Sequence, residues 1–318
     1  MIFHADMYLC PKADEEIDKY IEPGRVVSLT RIEPPLHPPG PEKVLQDFGI
    51  EPEEFEQGKL LKYLKTIDKD KKPTFGIFAP WAIYKEDFQR IGGHDPLYAP
   101  QSKEDSDIFN RFVLNGYELI QTWQGFVYHM TCRGSRFKDG AMRNPAGQVF
   151  MKGRESSEWL AQNLRSTRNF IRKWGHMVKH DEYLKPIVPP KYKVYFKAYN
   201  CNLNLLRELE PWCDKIYLDS GSIGKYAGQY QKEEQPNTQF DLDEKIKLYG
   251  HNKISELHDI CVEFNAEQLN NENFQVLVNL SKMLQDSGEI GEMEYDIFKF
   301  YIKSLETYEK NLVVCKTN

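Results

Sequence analysis

Apolar positions along this chain change period several times, and the changes mark out its elements. Over 77–84 an unbroken apolar run predicts a strand, and over 85–91 Phe88 and Ile91 predict the inward side of a short helix. Gly92-Gly93 stops that helix, because glycine alone enters positive φ without a steric penalty. Ile108, Phe109, Phe112 and Leu114 then recur at helical spacing, behind an opening cluster of Glu104, Asp105 and Asp107. Two short strands follow, over 117–121 and 125–129, joined near Trp123.

Upstream, the pattern predicts an acidic helix over 13–21, a short strand over 26–30 and helices over 44–48 and 52–66, the last with Phe55, Leu60, Leu61 and Leu64 inward. Pro34, Pro35, Pro38, Pro39 and Pro41 make 31–41 an extended, rigid loop. Downstream, 155–175 predicts an amphipathic helix with Leu160, Leu164, Ile171 and Trp174 in one stripe, and Arg165, Arg168, Arg172 and Lys173 on its wet face. Pro186, Pro189 and Pro190 interrupt the pattern, so a boundary is expected in 183–191, dividing 1–185 from 186–318. The second part alternates strands (192–198, 215–218, 259–264) with helices (202–209, 271–284), a polar loop over 220–237, and a last strand or short helix over 296–302. The fold class expected is α/β, a larger unit followed by a smaller one.

Composition narrows the function classes. With 318 residues, 40% hydrophobic and 13% aromatic, the chain can fill two cores. A formal net charge of -6 argues against nucleic-acid binding by bulk electrostatics. No apolar run is long enough to span a bilayer, and no basic and apolar leader opens the sequence, so no membrane span and a cytoplasmic location are expected. Cys10, Cys132, Cys201, Cys213, Cys261 and Cys315 lack metal-site or redox spacing and read as reduced thiols.

Chemistry concentrates in three places. Glu104, Asp105 and Asp107 suit a helix start, where carboxylates complement the dipole, but three acids in four residues exceed what a cap needs. His129 closes a strand and precedes a run of cations that includes Arg133 and Arg136, side chains fit to grip phosphate oxygens. At the start, His4-Ala5-Asp6 ends a short apolar stretch. Farther on, Asp219 and Glu263 end strands, where they either cap the chain or meet a ligand. The segment 221–225 (G-S-I-G-K) lacks phosphate-loop spacing.

The combination of I-G-G-H-D over 91–95 with E-D-S-D over 104–107 resembles the acceptor half of nucleotide-sugar glycosyltransferases of the GT-A fold, the inverting family 2 type, including its galactosyltransferase-like motif. The resemblance covers about the first 180 residues. It implies Asp105 as general base toward an acceptor hydroxyl, with Glu104, Asp107, Trp81, Gly92 and Gly93 lining the acceptor pocket. It also implies Asp6 as a metal ligand from a D-x-D-like strand end, with His4 where the family has its first Asp. His129 would complete the metal site, and Arg133 and Arg136 would meet the diphosphate. The implied cofactor is Mn²⁺ or Mg²⁺; imidazole ligands suit Mg²⁺ less well, since it prefers oxygen. Trp81, Tyr84 and Trp123 are candidates for stacking on sugar faces. The implied partners are a nucleotide-sugar donor and a glycan acceptor. Family members carry a nucleotide-binding segment ahead of the D-x-D, so the resemblance implies a fragment or split gene, another chain supplying that half, or loss of donor binding. The alternative is a non-catalytic glycan-binding or assembly protein that has lost donor binding.

Overall fold

The computed structural model describes residues 1–4, 6–35, 39–68, 70–130, 141–143, 149–151, 157–249 and 258–313. It is a mixed α/β protein built on two mixed sheets. The first is five-stranded, in the order β1 (Met7–Leu9), β5 (Glu118–His129), β2 (Arg25–Glu33), β3 (Lys43–Leu45), with β4 (Trp81–Ala82) also paired to β2. Parallel pairing joins β2 to β5 and β3, whereas β1 runs antiparallel to β5.

Strand β2 is central because every position after Arg25 is buried, as expected of a strand covered on both faces. One core cluster holds Val27, Leu29, Trp81, Ile108 and Phe112 beneath α1 (Ala13–Asp18) and α4 (Glu104–Leu114). Another holds Ile32, Phe48, Phe126 and Tyr128 with Leu60 of α2 (Gln57–Tyr63). The register of β2 on β5 is interrupted once. Leu29 and Thr30 are neighbours, yet they pair with Thr122 and Phe126, so Trp123, Gln124 and Gly125 bulge out. A Cβ at Gly125 would lie 2.6 Å from Leu29 Cδ2, so a larger residue there would have to displace that leucine.

The second sheet is six-stranded, in the order β10 (Ile246–Leu248), β9 (Lys215–Leu218), β8 (Val194–Tyr199), β11 (Ile260–Asn265), β13 (Phe298–Ile302), β12 (Gly291–Tyr295). Its first four strands are parallel and its last two antiparallel. Alternation along β8 sends Val194, Phe196 and Ala198 into a core with Leu206 and Leu209 of α6 (Leu203–Leu209). A short two-stranded pair, β6 (Ala141–Arg143) with β7 (Val149–Met151), lies between the sheets in sequence.

The long helix α5 (Ser157–Trp174) joins the two sheets. Trp174 and Phe170 pack with Leu97 and Tyr98, while Arg168 and Asn169 reach Glu234 and Asn237. Arg172 is fully buried, contrary to its expected place on the wet face. It donates to Glu210 at 2.6 Å and to Glu234 at 2.8 Å. Leu160 and Leu164, assigned inward, are exposed. The stripe was misread because the face of α5 that meets the second unit is polar and paired rather than apolar.

Other expectations also need correction. The run 77–84 yields only the two-residue β4 ahead of the expected short helix, α3 (Lys85–Arg90), and 44–48 is covered by strand β3 and loop rather than helix. The polar segment 220–237 is helical, including α7 (Ser220–Ser222) and α8 (Gly228–Glu234); Asp219 caps it, accepting from Ser222 N at 2.8 Å. The two strands expected around Trp123 form one strand, and the joint is the bulge. Among the described residues, no helix is long and apolar enough to cross a membrane.

Candidate metal centre

Two ladders of the first sheet deliver the residues of the site. Ile2 is bridged to Trp81, Met7 pairs with His129, and Met130 N donates to the Asp6 carbonyl at 2.9 Å. His4 and Asp6 are therefore held between two fixed pairings, beside the end of β5. One ligand atom from each of His4, Asp6 and His129 lies within 4.8 Å of the others. His129 Nε2 stands 3.4 Å from Asp6 Oδ2.

Helix α4 brings the acids. Ser102 and Lys103, at φ 80° and 76°, both take the left-handed conformation that non-glycine residues rarely adopt, and the helix starts immediately after them. This turn places Asp105 Oδ2 3.8 Å from His4 Nε2. Burial pushes the Asp105 carboxyl up to about 6. Glu104 is also raised, by burial first and by Asp105 next, and its Oε2 is enclosed with no hydrogen-bond partner.

Electrostatics at the histidines are set by burial against carboxylates. Burial lowers His4, helped by the neighbouring His129. Burial opposes the charged form of His129, but the hydrogen bonds it donates to Asp6 and Glu33 more than offset it and raise its pKa. Asp6 is lowered overall because His129 outweighs burial.

Sequence reasoning missed Glu33. Its Oε2 lies 3.1 Å from His129 Nδ1, it is fully buried, and its Oε1 meets Lys43 Nζ at 2.9 Å while Arg31 Nη1 approaches Oε2 at 3.3 Å. Burial works against its charge, yet His129, Arg31 and Lys43 bring it down to about 2. The available signal was the R-I-E triplet closing a strand of otherwise apolar and small polar residues, which the prolines behind it caused to be read as loop.

The remaining expected site residues separate into two groups. Glu104 and Asp105 stand at the centre. Trp81 and Asp107 do not line a pocket, and both assignments are corrected. Trp81 is fully enclosed, packed edge-on against Phe109 and Phe112 at 6.0 and 5.5 Å. Asp107 is also fully enclosed, accepting from Arg111 Nε and Trp174 Nε1, both at 2.9 Å, and paired with Lys173 at 2.7 Å. Arg111 in turn donates to the carbonyls of Ile91 and Gly93 at 2.7 and 2.6 Å. The last acid of E-D-S-D, Asp107, and the Gly92-Gly93 turn, at φ 90° and 65°, thus form a scaffold that aims the first two acids. Trp123 is buried, with its N–H on Thr74 Oγ1 at 3.1 Å, whereas Tyr84 is exposed. Arg133 and Arg136 lie outside the described residues.

The donor set fits a divalent cation. Two imidazoles and a carboxylate on one centre suit Mn²⁺, Fe²⁺, Co²⁺ or Zn²⁺ better than Mg²⁺. A carboxylate on the far nitrogen of a ligating histidine is the usual support of such centres. The chain matches no protein-family model, no curated protein and no solved structure. The functional reading therefore rests on this geometry together with the motif resemblance.

Proposed function

We propose that this protein is a metal-dependent glycosyltransferase of GT-A type, transferring a hexose with inversion from a nucleoside-diphosphate sugar to a glycan hydroxyl. The observation that carries the reading is the convergence of His4, Asp6 and His129 with Asp105, whose carboxylate stands 3.8 Å from His4 and is raised to about 6.

His4, Asp6 and His129 would hold Mn²⁺, which when bound neutralises charge developing on the leaving diphosphate. Asp105 is the base. With its pKa near 6 it is mainly ionised around neutrality, yet basic enough to take a proton as the acceptor oxygen attacks. The acceptor O–H bond breaks toward the Asp105 carboxylate, the new bond forms at the anomeric carbon, and the bond from that carbon to the diphosphate breaks.

Calorimetric titration with UDP and UDP-sugars, with and without Mn²⁺, tests the proposal. Metal-dependent binding that is lost in Asp6→Ala supports a donor site. Binding retained by Asp105→Asn without turnover supports the base. Absence of nucleotide binding in the presence of bound metal refutes transfer by this chain alone and favours the glycan-binding alternative.

A further inference from the structure

Resting on the metal-centre reading, we propose that Glu33 is the positioning residue of that centre: it fixes the ring of His129 and commits its Nε2 to the cation. The argument begins with the ladder. Strand β2 pairs with β5 in parallel, with Ile32 opposite Tyr128, so the next residue on each strand brings Glu33 alongside His129. At 3.1 Å, Glu33 Oε2 accepts from His129 Nδ1. An imidazole that donates from Nδ1 presents Nε2 as the ligating atom, and here Nε2 is the nitrogen that faces Asp6 at 3.4 Å.

Glu33 is itself fixed. It is fully enclosed, and two cations meet it: Arg31, two residues back on β2, at 3.3 Å, and Lys43, on the adjacent β3, at 2.9 Å. Each is held further: Glu42 lies 3.6 Å from Arg31 and 3.7 Å from Lys43, and the Arg31 guanidinium packs 3.9 Å from the centroid of Phe78, whose ring meets His4 edge-on. Arg31 and Lys43 are balanced by Glu33 and Glu42 together, and burying such a set of charges is costly unless its members hold one another in place. The arrangement holds one acceptor oxygen on one ring nitrogen. Glu33 does not touch a substrate, and its effect passes through His129.

The test is calorimetric titration of the purified protein with Mn²⁺ at near-neutral pH. Glu33→Gln is expected to weaken Mn²⁺ binding roughly 10- to 100-fold. Glu33→Asp should recover part of that loss if its shorter carboxylate still reaches Nδ1. Wild-type affinity in a folded Glu33→Gln protein overturns the proposal and leaves the metal centre standing. If wild-type protein binds no Mn²⁺, Zn²⁺ or Fe²⁺, the metal-centre reading falls and this inference falls with it. Should the variants fail to fold, nitrogen NMR of the His129 ring in Zn²⁺-loaded wild-type protein decides the matter. A protonated Nδ1 with metal on Nε2 is expected, and metal on Nδ1 overturns the proposal.

Discussion

Asp105→Asn should make the metal-free protein more stable at alkaline pH while removing the proposed base. The carboxyl is held at about 6 rather than its usual 3.8, and burial is the cause. An acid whose pKa rises on folding binds its proton more tightly in the folded state. It therefore costs nothing below about pH 4, costs progressively more as pH climbs toward 6, and costs its full amount above that. A displacement of this size corresponds to about 3 kcal/mol. Asparagine has the same shape and no charge to desolvate. Urea denaturation in the presence of a chelator should show the variant more stable by up to about 3 kcal/mol near pH 8, with the two curves converging toward about pH 4. Saturating Mn²⁺ should narrow the gap, because a cation beside His4 favours the ionised carboxylate. Equal or lower stability of the variant near pH 8 without metal would refute the argument that Asp105 is a partly buried acid whose charge lacks support.

Two further outcomes follow from the packing. Arg172→Met leaves Glu210 enclosed with only Lys245 to balance it, and should cost about 3–5 kcal/mol in chemical denaturation, with part of the loss recovered on adding Glu210→Gln. Asp107→Asn, which deprives Arg111 of its counter-charge and leaves Lys173 with Asp95 alone, should lower stability by about 2–3 kcal/mol; Mn²⁺ affinity in the folded protein should stay unchanged, since Asp107 is scaffold.

The sequence pattern anticipated elements whose periodicity comes from one apolar face. Helix α4 and the strands β8, β9 and β11 fall close to their expected places because their buried side chains alternate or recur regularly. The ligand candidates His4, Asp6 and His129, singled out by motif resemblance, come together although they lie at distant chain positions. Burial of charge was not legible. Arg172 looked like a solvated side chain because its acceptors, Glu210 and Glu234, are 38 and 62 residues away and pair with it only after folding. Glu33 was hidden for the same reason, its partner His129 being 96 residues away. Asp107 and Trp81 carried motif positions into the interior, where the same side chains that mark the pattern support the turn rather than meet a ligand.

The burial of Arg172 also bears on how the chain can be divided. The proline-rich stretch 183–191 looks like a natural place to cut, yet α5 lies before it and its buried cation is balanced by carboxylates that lie after it. A fragment ending at that stretch would carry an uncompensated guanidinium on an exposed helix face, and the complementary fragment would carry Glu210 facing water where Arg172 had been. The two units depend on each other for the pairing of these buried charges. Exchanging the second for an unrelated module, or shuffling it onto another protein, would have to carry α5 along with it.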